Sequence, residues 1–370
     1  MRVLCFDVGS SSLKFALYNL VDGVAGIEAE GNVTHEEAGN VKPGLEKVFK
    51  GTTRLADCPL DAIGHRIVFG GQHYEAPVLV NDRVMLDLES LVGFDPLHMP
   101  PQVEVVREVG KRYPGVAQVL CFDTSFHRRM PQSARSLPLP RSLGPEIQRY
   151  GFHGLSYEYV VSTVEDAGCG KVVIAHLGSG ASMCALQDGN PMDTTMGFSP
   201  LGGLMMGTRP GDLDPGVGLY LVRQGWSATE LSELLYRRSG LLGVSETTPG
   251  VRELLERAAA DSRAAFALEL FVYQARKQLG AMIAVLGGLD ELVFTGGIGE
   301  GSPDMRVRIC EPFAFASVAI DQSRNAENAP TISTDSSRTR VRVVHTNENL
   351  MIARHVVEVL NDHDGGALGS

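Results

Sequence analysis

The chain has 370 residues, of which 44% are hydrophobic and 21% charged, and a formal net charge of −11 at pH 7. This length exceeds one ordinary hydrophobic core, so we expect two domains with room for a cleft between them. No segment approaches the roughly 18 to 20 uninterrupted apolar residues that a membrane helix needs, and the acidic balance disfavours nucleic acid or an anionic membrane as a partner. These features indicate a soluble globular protein.

The cysteines and the N-terminus indicate the cytoplasm. The six cysteines are scattered, without a CxxC pair or the spacing of a disulfide framework or zinc site. The first residues, MRVLCFDVGSSS, contain one arginine and a short apolar stretch that Asp7 interrupts. This pattern is unlike a secretory signal and is typical of a first β-strand.

The first predicted element is a hairpin that recurs later in the chain. VLCFDVGSSSLKFAL (residues 3–17) aligns without gaps on VVIAHLGSGASMCAL (residues 172–186), at an offset of 169, with five of fifteen positions identical. Each copy has an apolar strand, a Gly/Ser turn and a second strand, which predicts a β-hairpin. The repeat indicates a duplicated domain, although a coincidence of short motifs would give the same score.

The remaining elements alternate between helices and strands, which favours an α/β fold. Helices are predicted near residues 102–112, 156–167, 229–238, 262–286 and 350–360. Apolar residues of the stretch 262–286 recur at three- and four-residue intervals, as in an amphipathic helix that packs on a core. A third apolar strand runs into a glycine-rich turn in ELVFTGGIGEG, residues 291–301.

Glycine-rich turns after strands are candidate phosphate sites. Turn N–H groups form concavities that hold phosphate oxygens, and glycine lets the ligand approach the backbone. In GSSSLK, Ser10, Ser12 and Lys14 add hydroxyls and a cation that could bind phosphate or the water shell of a magnesium ion. GSGAS (178–182) and GGIGE (296–300) are weaker individually. Each could be an ordinary turn, and no P-loop or protein-kinase motif set is present.

Cationic side chains also lie beside glycine or proline in several loops. These are Arg66, His98, His153 and Arg209. Any one of them could be a surface ion pair or a structural residue, whereas their shared placement favours an anion site. Asp123 ends an apolar strand, where open α/β sheets place ligand contacts, unless it caps the next turn. Glu348 precedes the last helix, a position that the helix dipole alone would explain.

Nine segments, in one order over nearly the whole chain, resemble the acetate kinase family of the actin, sugar kinase and Hsp70 superfold. They are GSSSLK, GHR-GG, PLH-PP, FDT-FH, YGFHG-S, HLG-GAS, DTTMGFSPL-GLMMGTR-GD-DP, FTGGIGE and TNE-LMIA. The resemblance implies an α/β fold of two duplicated actin-like, ribonuclease H-like domains around a central cleft that closes by a hinge. It assigns residues 1–124 and 350–370 to the first domain, completed by the C-terminal helix, and residues 125–349 to the second.

The resemblance also implies phosphoryl transfer from ATP to acetate or another short-chain acid, with Mg²⁺, in a homodimer. A carboxylate ordinarily has a pKa near 4 to 5, so it is ionised at neutral pH and needs little help from a base. Repulsion between this anion and the γ-phosphoryl group is the obstacle. Catalysis should therefore rest on positioning and on cations, with arginines and magnesium offsetting the charge.

The family roles carry over to matching positions. Arg66 would orient the acid and the phosphoryl group, Arg209 would stabilise the in-line transition state, and His153 would hydrogen-bond the phosphoryl oxygens. Asp123, also close to the reaction centre, would organise the metal with Asp7 and Glu348. The phosphate path would comprise Ser10, Ser12, Lys14, His176, Ser179 and Gly180, the nucleoside site Arg252, Gly297, Ile298 and Gly299, and the acyl pocket Val68, Leu97, Phe152 and Pro200. This pocket is small and apolar, but acetate and propionate differ by one methylene, worth only about 1 to 3 kcal/mol.

Departures from the family pattern fall on the phosphate or nucleoside side. Asp7, Ser179 and Gly301 stand where the family has Asn, and Gly250 replaces the acid of an Asp-x-Arg adenosine contact. Asp7 adds a negative charge that a metal or Lys14 would have to compensate. GTP or pyrophosphate as donor, and a nucleotide-binding regulatory protein without turnover, are therefore alternatives at this point. A sugar kinase or glycerol kinase is a third alternative. Its acceptor hydroxyl would need a base in a polar pocket, whereas the pocket mapped here is apolar apart from Arg66.

Overall fold

A computed structural model of the chain describes residues 1–9, 12–21, 24–34, 41–51, 59–164 and 169–367. Its strands are β1 (Arg2–Val8), β2 (Ser12–Val21), β3 (Val24–Thr34), β4 (Ala62–Ile67), β5 (Val78–Leu79), β6 (Ala117–Phe122), β7 (Lys171–Leu177), β8 (Ala181–Gln187), β9 (Asn190–Thr194), β10 (Glu291–Thr295) and β11 (Arg340–Val343). Its helices are α1 (Lys42–Gly51), α2 (Asp82–Leu91), α3 (Met99–Arg112), α4 (Gln132–Arg135), α5 (Gly154–Thr163), α6 (Pro215–Arg223), α7 (Ala228–Arg237), α8 (Gly240–Ser245), α9 (Val251–Arg257), α10 (Ser262–Leu286), α11 (Gly296–Gly301), α12 (Pro303–Cys310), α13 (Gln322–Ala326) and α14 (Glu348–Ala367). Short 3₁₀ turns lie at Val92–Phe94, Phe126–Arg129, Arg141–Leu143 and Glu311–Ala316.

The first sheet has six strands in the order β3-β2-β1-β4-β6-β5. The strands β3, β2 and β1 form antiparallel pairs, β1, β4 and β6 are parallel, and β5 is antiparallel to β6. The central strands β1, β4 and β6 are mostly buried because helices cover both faces of the sheet. One face packs against Ile352 and Val356 of α14, and the other against Leu45 of α1 and Val105 and Val109 of α3.

The second sheet repeats this topology. Its order is β11-β10-β7-β8-β9, with antiparallel pairs among β7, β8 and β9 and parallel pairs among β7, β10 and β11. The long helix α10 packs on this sheet. It begins after Asp261, whose side chain accepts from two backbone N–H groups, and ends before Gly287 in a left-handed conformation. The predicted helix 262–286 is thus confirmed.

The duplication is confirmed, but the two hairpins differ by one residue in their turns. In the first hairpin Val8 pairs with Leu13, and in the second Leu177 pairs with Ala181. The gapless sequence alignment therefore holds along β1 and β7 and slips by one position along β2 and β8. Since a one-residue slip exchanges the faces of a strand, the identical alanines and leucines of the second strands are not structurally equivalent.

The chain divides into two compact units, each with one sheet. Unit 1 comprises Met1–Arg128, Phe152–Tyr159 and Asn347–Ser370, and unit 2 comprises Arg129–Gly151 and Val160–Thr346. The α/β class predicted from the sequence is confirmed, whereas the domain boundaries predicted there remain a prediction. Within the described part of the chain, no helix combines the length and the apolar character needed to cross a membrane.

A buried histidine joins α14 to the part of α5 that belongs to unit 1. His355 of α14 lies 2.8 Å from Glu158 of α5 through Nε2 and 3.2 Å from Glu358 through Nδ1. Burial lowers the pKa of His355, but the two carboxylates outweigh this and raise its pKa above the ordinary value. The ion pair therefore contributes stability below the pKa of the unfolded state and loses it as the pH rises through the folded pKa.

We expect His355→Gln to destabilise the protein by about 1 to 3 kcal/mol at pH 6, as for a lost hydrogen bond to a charged group. The loss should shrink towards pH 9, because the wild-type imidazole is then neutral. Urea unfolding of both proteins at the two pH values measures this difference. His73→Gln, at an exposed histidine of the same unit, is the control. A loss that does not change with pH would contradict the assignment.

Candidate active site

An arginine surrounded by carboxylates lies at one edge of the first sheet. The parallel strands β1, β4 and β6 end there, so Asp7, Arg66 and Asp123 meet. The Arg66 Nη1 atom is 2.7 Å from Asp7 Oδ1, and Nη2 is 2.7 Å from Asp123 Oδ2. The Nε atom of Arg66 also donates to the Asp123 carboxylate, at 3.1 Å from Oδ2. Asp123 thus holds one edge of the guanidinium in a paired contact.

Two further charged groups complete this cluster. Glu348, the first residue of α14, places Oε2 3.3 Å from Arg66 Nη1, without the geometry of a hydrogen bond. The Lys14 ammonium lies 3.6 Å from Asp7 Oδ2. Two cations therefore face three carboxylates. We name Asp7, Lys14, Arg66, Asp123 and Glu348 the carboxylate cluster.

The pKa values of the carboxylate cluster follow from burial and charge. Burial raises the pKa of Asp7, but Arg66 and Lys14 outweigh it and hold this pKa below its usual range. Burial, with a smaller contribution from the charges of Asp7 and Asp123, outweighs the effect of Arg66 and raises the pKa of Glu348 to about 7. Three carboxylates hold the pKa of Arg66 well above its usual value despite burial. Arg66 is therefore charged, and Glu348 takes up a proton more readily than Asp7.

The carboxylate cluster suits a magnesium ion only in part. In the residues that the structure describes, no three His, Cys, Asp or Glu side chains form a ready metal-binding group. In the carboxylate cluster, Arg66 lies between the carboxylates of Asp7 and Asp123. The buried Glu348 Oε2 atom has no hydrogen-bond partner in the described part of the chain. Magnesium is usually held by one or two carboxylates together with substrate phosphates. The donors present fit that arrangement.

His153 lies in a turn that is fixed against Asp123. Its φ of 58° is in the left-handed region, which a non-glycine residue adopts only when its surroundings hold it there. A Cβ atom at Gly154 would overlap the Asp123 carbonyl oxygen, so only glycine permits this approach. His127 Nε2 lies 3.0 Å from the Phe152 carbonyl oxygen. Burial lowers the pKa of His127 to about 4, so the ring is neutral and Nε2 carries the donated proton.

The predicted acyl-pocket residues are divided between the units. Val68 and Phe152 are buried and Leu97 is half-buried, all in unit 1. Pro200 is buried in unit 2, and its carbonyl oxygen accepts from Arg209 Nη1 at 2.9 Å. The contact therefore links an acyl-pocket candidate to a catalytic candidate within unit 2.

In unit 2 the second hairpin turn lies beside the GGIGE turn. A Cβ atom on Gly178 would be 3.8 Å from both the Gly297 nitrogen and His176 Nε2. Gly178 N–H donates to the Gly180 carbonyl at 2.9 Å, which closes the turn around Ser179. Gly297 is exposed, Ile298 half-buried and Gly299 buried within α11. The structure thus brings His176, Ser179, Gly180 and Gly297 together.

Glu300 anchors the GGIGE turn, a role that the sequence reasoning missed. Its Oε1 atom accepts from the N–H groups of Gly296, at 2.8 Å, and Thr346, at 3.1 Å. Its Oε2 atom lies 2.8 Å from His345 Nδ1. This carboxylate therefore joins the ends of β10 and β11. The sequence signal that could have identified this role is the position of Glu300 at the end of the GGIGE motif.

The remaining candidates differ in their surroundings. Ser12 begins β2, whereas Ser10 lies outside the described residues. Arg252 of α9 has 93% of its side chain exposed and lies 3.5 Å from Glu256. The buried Arg209 belongs to a loop that Gly207 joins to Ser179 through a backbone hydrogen bond of 3.1 Å.

Gly240 should be essential for the position of Arg209. It has a φ of 61°, and a Cβ atom there would overlap the Met206 carbonyl oxygen and lie 2.7 Å from the Arg209 carbonyl oxygen. Gly240→Ala should therefore displace this loop and lower kcat by about 10- to 100-fold. Steady-state kinetics of Gly225→Ala provide the control, because Gly225 has a φ of 93° with no atom within 4 Å of an added Cβ. Equal kinetic losses in the two variants would contradict the loop's role.

Comparisons with known proteins identify the family and the fold of this chain. The model of the Acetokinase family matches residues 28–354. An acetate kinase of Rhodopseudomonas palustris (strain TIE-1) is 42% identical over 398 aligned positions, covering 98% of this chain and 99% of that protein. The structure of a propionate kinase from Francisella tularensis has a TM-score of 0.85 at 34% identity and covers 96% of this chain and 98% of its own. That of Porphyromonas gingivalis acetate kinase has a TM-score of 0.81 at 31% identity, with 97% and 99% covered.

These similarities confirm the resemblance, the fold class and the enzyme class expected from the sequence. The chain is a kinase with a carboxyl group as acceptor, and the alternative of a regulatory protein without turnover is not favoured. The family match and the full-length relatives lead to one conclusion: this chain belongs to the acetokinase family.

Proposed function

We propose that this protein transfers the γ-phosphoryl group of ATP to acetate or another short-chain acid, with Mg²⁺, to form ADP and an acyl phosphate. The observation that carries the proposal is Arg66 at the centre of the carboxylate cluster. A partly buried, permanently charged guanidinium at the carboxyl ends of parallel strands is suited to an anionic acceptor. The full-length similarity to acetate kinases supports ATP and acetate.

Arg66 has one edge fixed and one edge available for exchange. Asp123 contacts Nε and Nη2, whereas Asp7 and Glu348 share Nη1. We propose that the acid carboxylate replaces these two at Nη1 while Asp123 keeps the guanidinium oriented. Such an exchange places the acceptor without a base, because the acid is already ionised.

The other candidate residues receive roles in the same reaction. His153 would donate to the phosphoryl oxygens, and Arg209 would stabilise the charge of the transition state. Ser10, Ser12, Lys14, His176, Ser179 and Gly180 would contact the phosphates, Arg252, Gly297, Ile298 and Gly299 the nucleoside, and Val68, Leu97, Phe152 and Pro200 the acyl group. Support comes from the turn that holds His153 against Asp123 and from the packing of the second hairpin on the GGIGE turn.

Magnesium would be held by Glu348 and Asp123, with Asp7 beside them. The ion supplies charge neutralisation on the donor phosphates when it is bound. The Glu348 Oε2 atom, which has no hydrogen-bond partner in the described part of the chain, supports this assignment, as does the position of Asp7 between Arg66 and Lys14. With the acid carboxylate at Nη1 of Arg66, the carboxylates of Asp7 and Glu348 would be available to hold the ion.

We also propose a cytoplasmic homodimer. All five cysteines that the structure describes are free, which fits a reducing compartment. Helix α6 exposes four apolar side chains within nine residues, and such a patch is typical of a protein interface. They are Val217, Leu219, Tyr220 and Val222. Neither nucleic acid nor a membrane is expected as a partner of this acidic chain.

A matrix of donors and acceptors tests the proposal. ATP, GTP and pyrophosphate are each combined with acetate, propionate and butyrate in the presence of Mg²⁺, and acyl phosphate is trapped with hydroxylamine as the hydroxamate. We expect product with ATP and the two shorter acids. A faster reaction with GTP or pyrophosphate would overturn the choice of donor, and no hydroxamate in any combination would overturn the function.

A further inference from the structure

The ends of β1 and β4 separate beside the carboxylate cluster. The two strands pair in parallel as far as Phe6 and His65, although β1 continues to Val8 and β4 to Ile67. If the register continued, the Val8 carbonyl would face the Val68 N–H group as the next step of the ladder. This pair of buried backbone groups is not bonded directly.

The side chain of Gln102 takes the place of that missing bond. Its Nε2 group donates to the Val8 carbonyl at 2.8 Å, and its Oε1 atom accepts from Val68 N–H at 3.0 Å. The glutamine side chain can bond both backbone groups at once, because its NH₂ group donates to a carbonyl and its oxygen accepts from an N–H group. We name this pair of hydrogen bonds the Gln102 bridge.

The surroundings of Gln102 make the Gln102 bridge rigid. The residue is 1% exposed and lies in the first turn of α3, where its N–H group donates to the His98 carbonyl at 3.3 Å. Val105 and Val109 of the same helix pack into the core beneath the first sheet. The amide therefore cannot follow the strand ends if they move.

The two strand ends that the Gln102 bridge joins lead to residues proposed to bind different substrates: the phosphates at the end of β1 and the acid at the end of β4. Val8 follows Asp7 and leads through Gly9 into the phosphate-side hairpin. Val68, itself a candidate of the acyl pocket, lies two residues after Arg66. The spacing between the phosphate-side turn and the acid-side arginine is therefore set across the Gln102 bridge.

We propose that Gln102 is a positioning residue for the acid kinase reaction: its side-chain amide holds the ends of β1 and β4 at the separation that places the Gly9 turn and Arg66 for catalysis. This inference rests on the proposed function. A purely structural role would make a different prediction, since loss of the bridge would then lower stability and leave the kinetics unchanged.

The test compares Gln102→Met with Thr339→Val. Methionine is close to glutamine in shape and cannot form the bridge. Thr339 is also buried, and its hydroxyl lies within hydrogen-bond distance of the carbonyls of Leu289 and Ala316. It precedes β11, at the end of that strand opposite to the candidate site of unit 2. Both variants remove side-chain hydrogen bonds to buried backbone groups, so both should lower the melting temperature.

Only Gln102→Met should lower kcat/KM for the acid, by about 10- to 100-fold, as for a small misplacement of reacting groups. Hydrogen exchange of the Val68 amide should also be faster in this variant. The proposal would be overturned if Gln102→Met showed faster exchange of the Val68 amide but wild-type kinetics. It would also be overturned if exchange of the Val68 amide were unchanged in this variant. If Gln102→Met does not fold, Gln102→Asn, which is too short to span both groups, is expected to show the same losses, and wild-type kinetics there would also overturn it.

The same experiment separates this inference from the proposed function. An absence of acid kinase activity in the wild-type protein would remove the proposed function and the positioning role together. The exchange of the Val68 amide would still report whether the Gln102 bridge exists. An active wild-type enzyme with an unaffected Gln102→Met variant would remove the positioning role alone.

Discussion

Replacing Arg66 by glutamine should lower kcat/KM for the acid by about 10²- to 10³-fold or more, the range seen when one preorganised electrostatic contact is lost. It should also destabilise the protein by about 3 to 5 kcal/mol, because buried carboxylates then lack their cation. Asp7, Asp123 and Glu348 would remain around a neutral amide. The destabilisation should grow from pH 6 to pH 9, since rising pH forces these carboxyl groups to ionise. Steady-state kinetics and urea unfolding at both pH values measure these effects.

The matched control for this change is Arg2→Gln. Arg2 is also a partly buried arginine of unit 1, paired with Glu28 at 2.7 Å, but it begins β1 at the opposite end of the strand from Asp7. We expect its kinetics to equal those of the wild type. A kinetic loss in Arg66→Gln no larger than that in Arg2→Gln would remove Arg66 from the proposed site.

Replacing Arg209 by alanine should lower kcat by about 10³- to 10⁵-fold, as for arginines that stabilise the charge of a phosphoryl-transfer transition state. The KM for the acid should change little, because an interaction made only in the transition state affects kcat and kcat/KM equally. The buried position of Arg209 and its hydrogen bond to Pro200 support a preset orientation. Initial rates over a range of acid and ATP concentrations give both constants.

Arg252→Ala serves as the comparison in the same unit. Arg252 is exposed and is proposed to contact the nucleoside, so its loss should raise the KM for ATP and leave kcat nearly unchanged. The two arginines are therefore expected to show opposite kinetic patterns. An Arg209→Ala variant with normal kcat and a raised KM would assign Arg209 to ground-state binding instead.

The periodicity of apolar residues and the repeated hairpin motif predicted one long helix and the duplicated sheets. The helix Ser262–Leu286 was predicted with its observed bounds from its apolar period alone, and the Asp261 cap and the left-handed Gly287 seen in the structure agree with those bounds. The hairpin repeat also predicted the duplicated sheets. Its register was misjudged by one residue, because GSSS and GSG turns of different length align without a gap and apolar strands tolerate either face.

Without the family resemblance, site residues could be selected only where residue type and strand position coincide. Asp123 at a strand end and the arginine of GHR could be selected in this way. Contacts between a side chain and distant backbone leave no periodic signal, so Gln102, His127 and Glu300 were not selected. The grouping of Asp7, Arg66 and Glu348 depends on parallel strands and a C-terminal helix that are remote in sequence.

The central claim is that an oxygen of the acid carboxylate attacks the γ-phosphorus of ATP. The most direct measurement supplies ¹⁸O-labelled acetate and Mg·ATP and follows the products by ³¹P NMR. We predict ADP and an acyl phosphate whose phosphorus signal carries the isotope shift of a directly bonded ¹⁸O. Formation of AMP and pyrophosphate, or an acyl phosphate without ¹⁸O on phosphorus, would contradict the account.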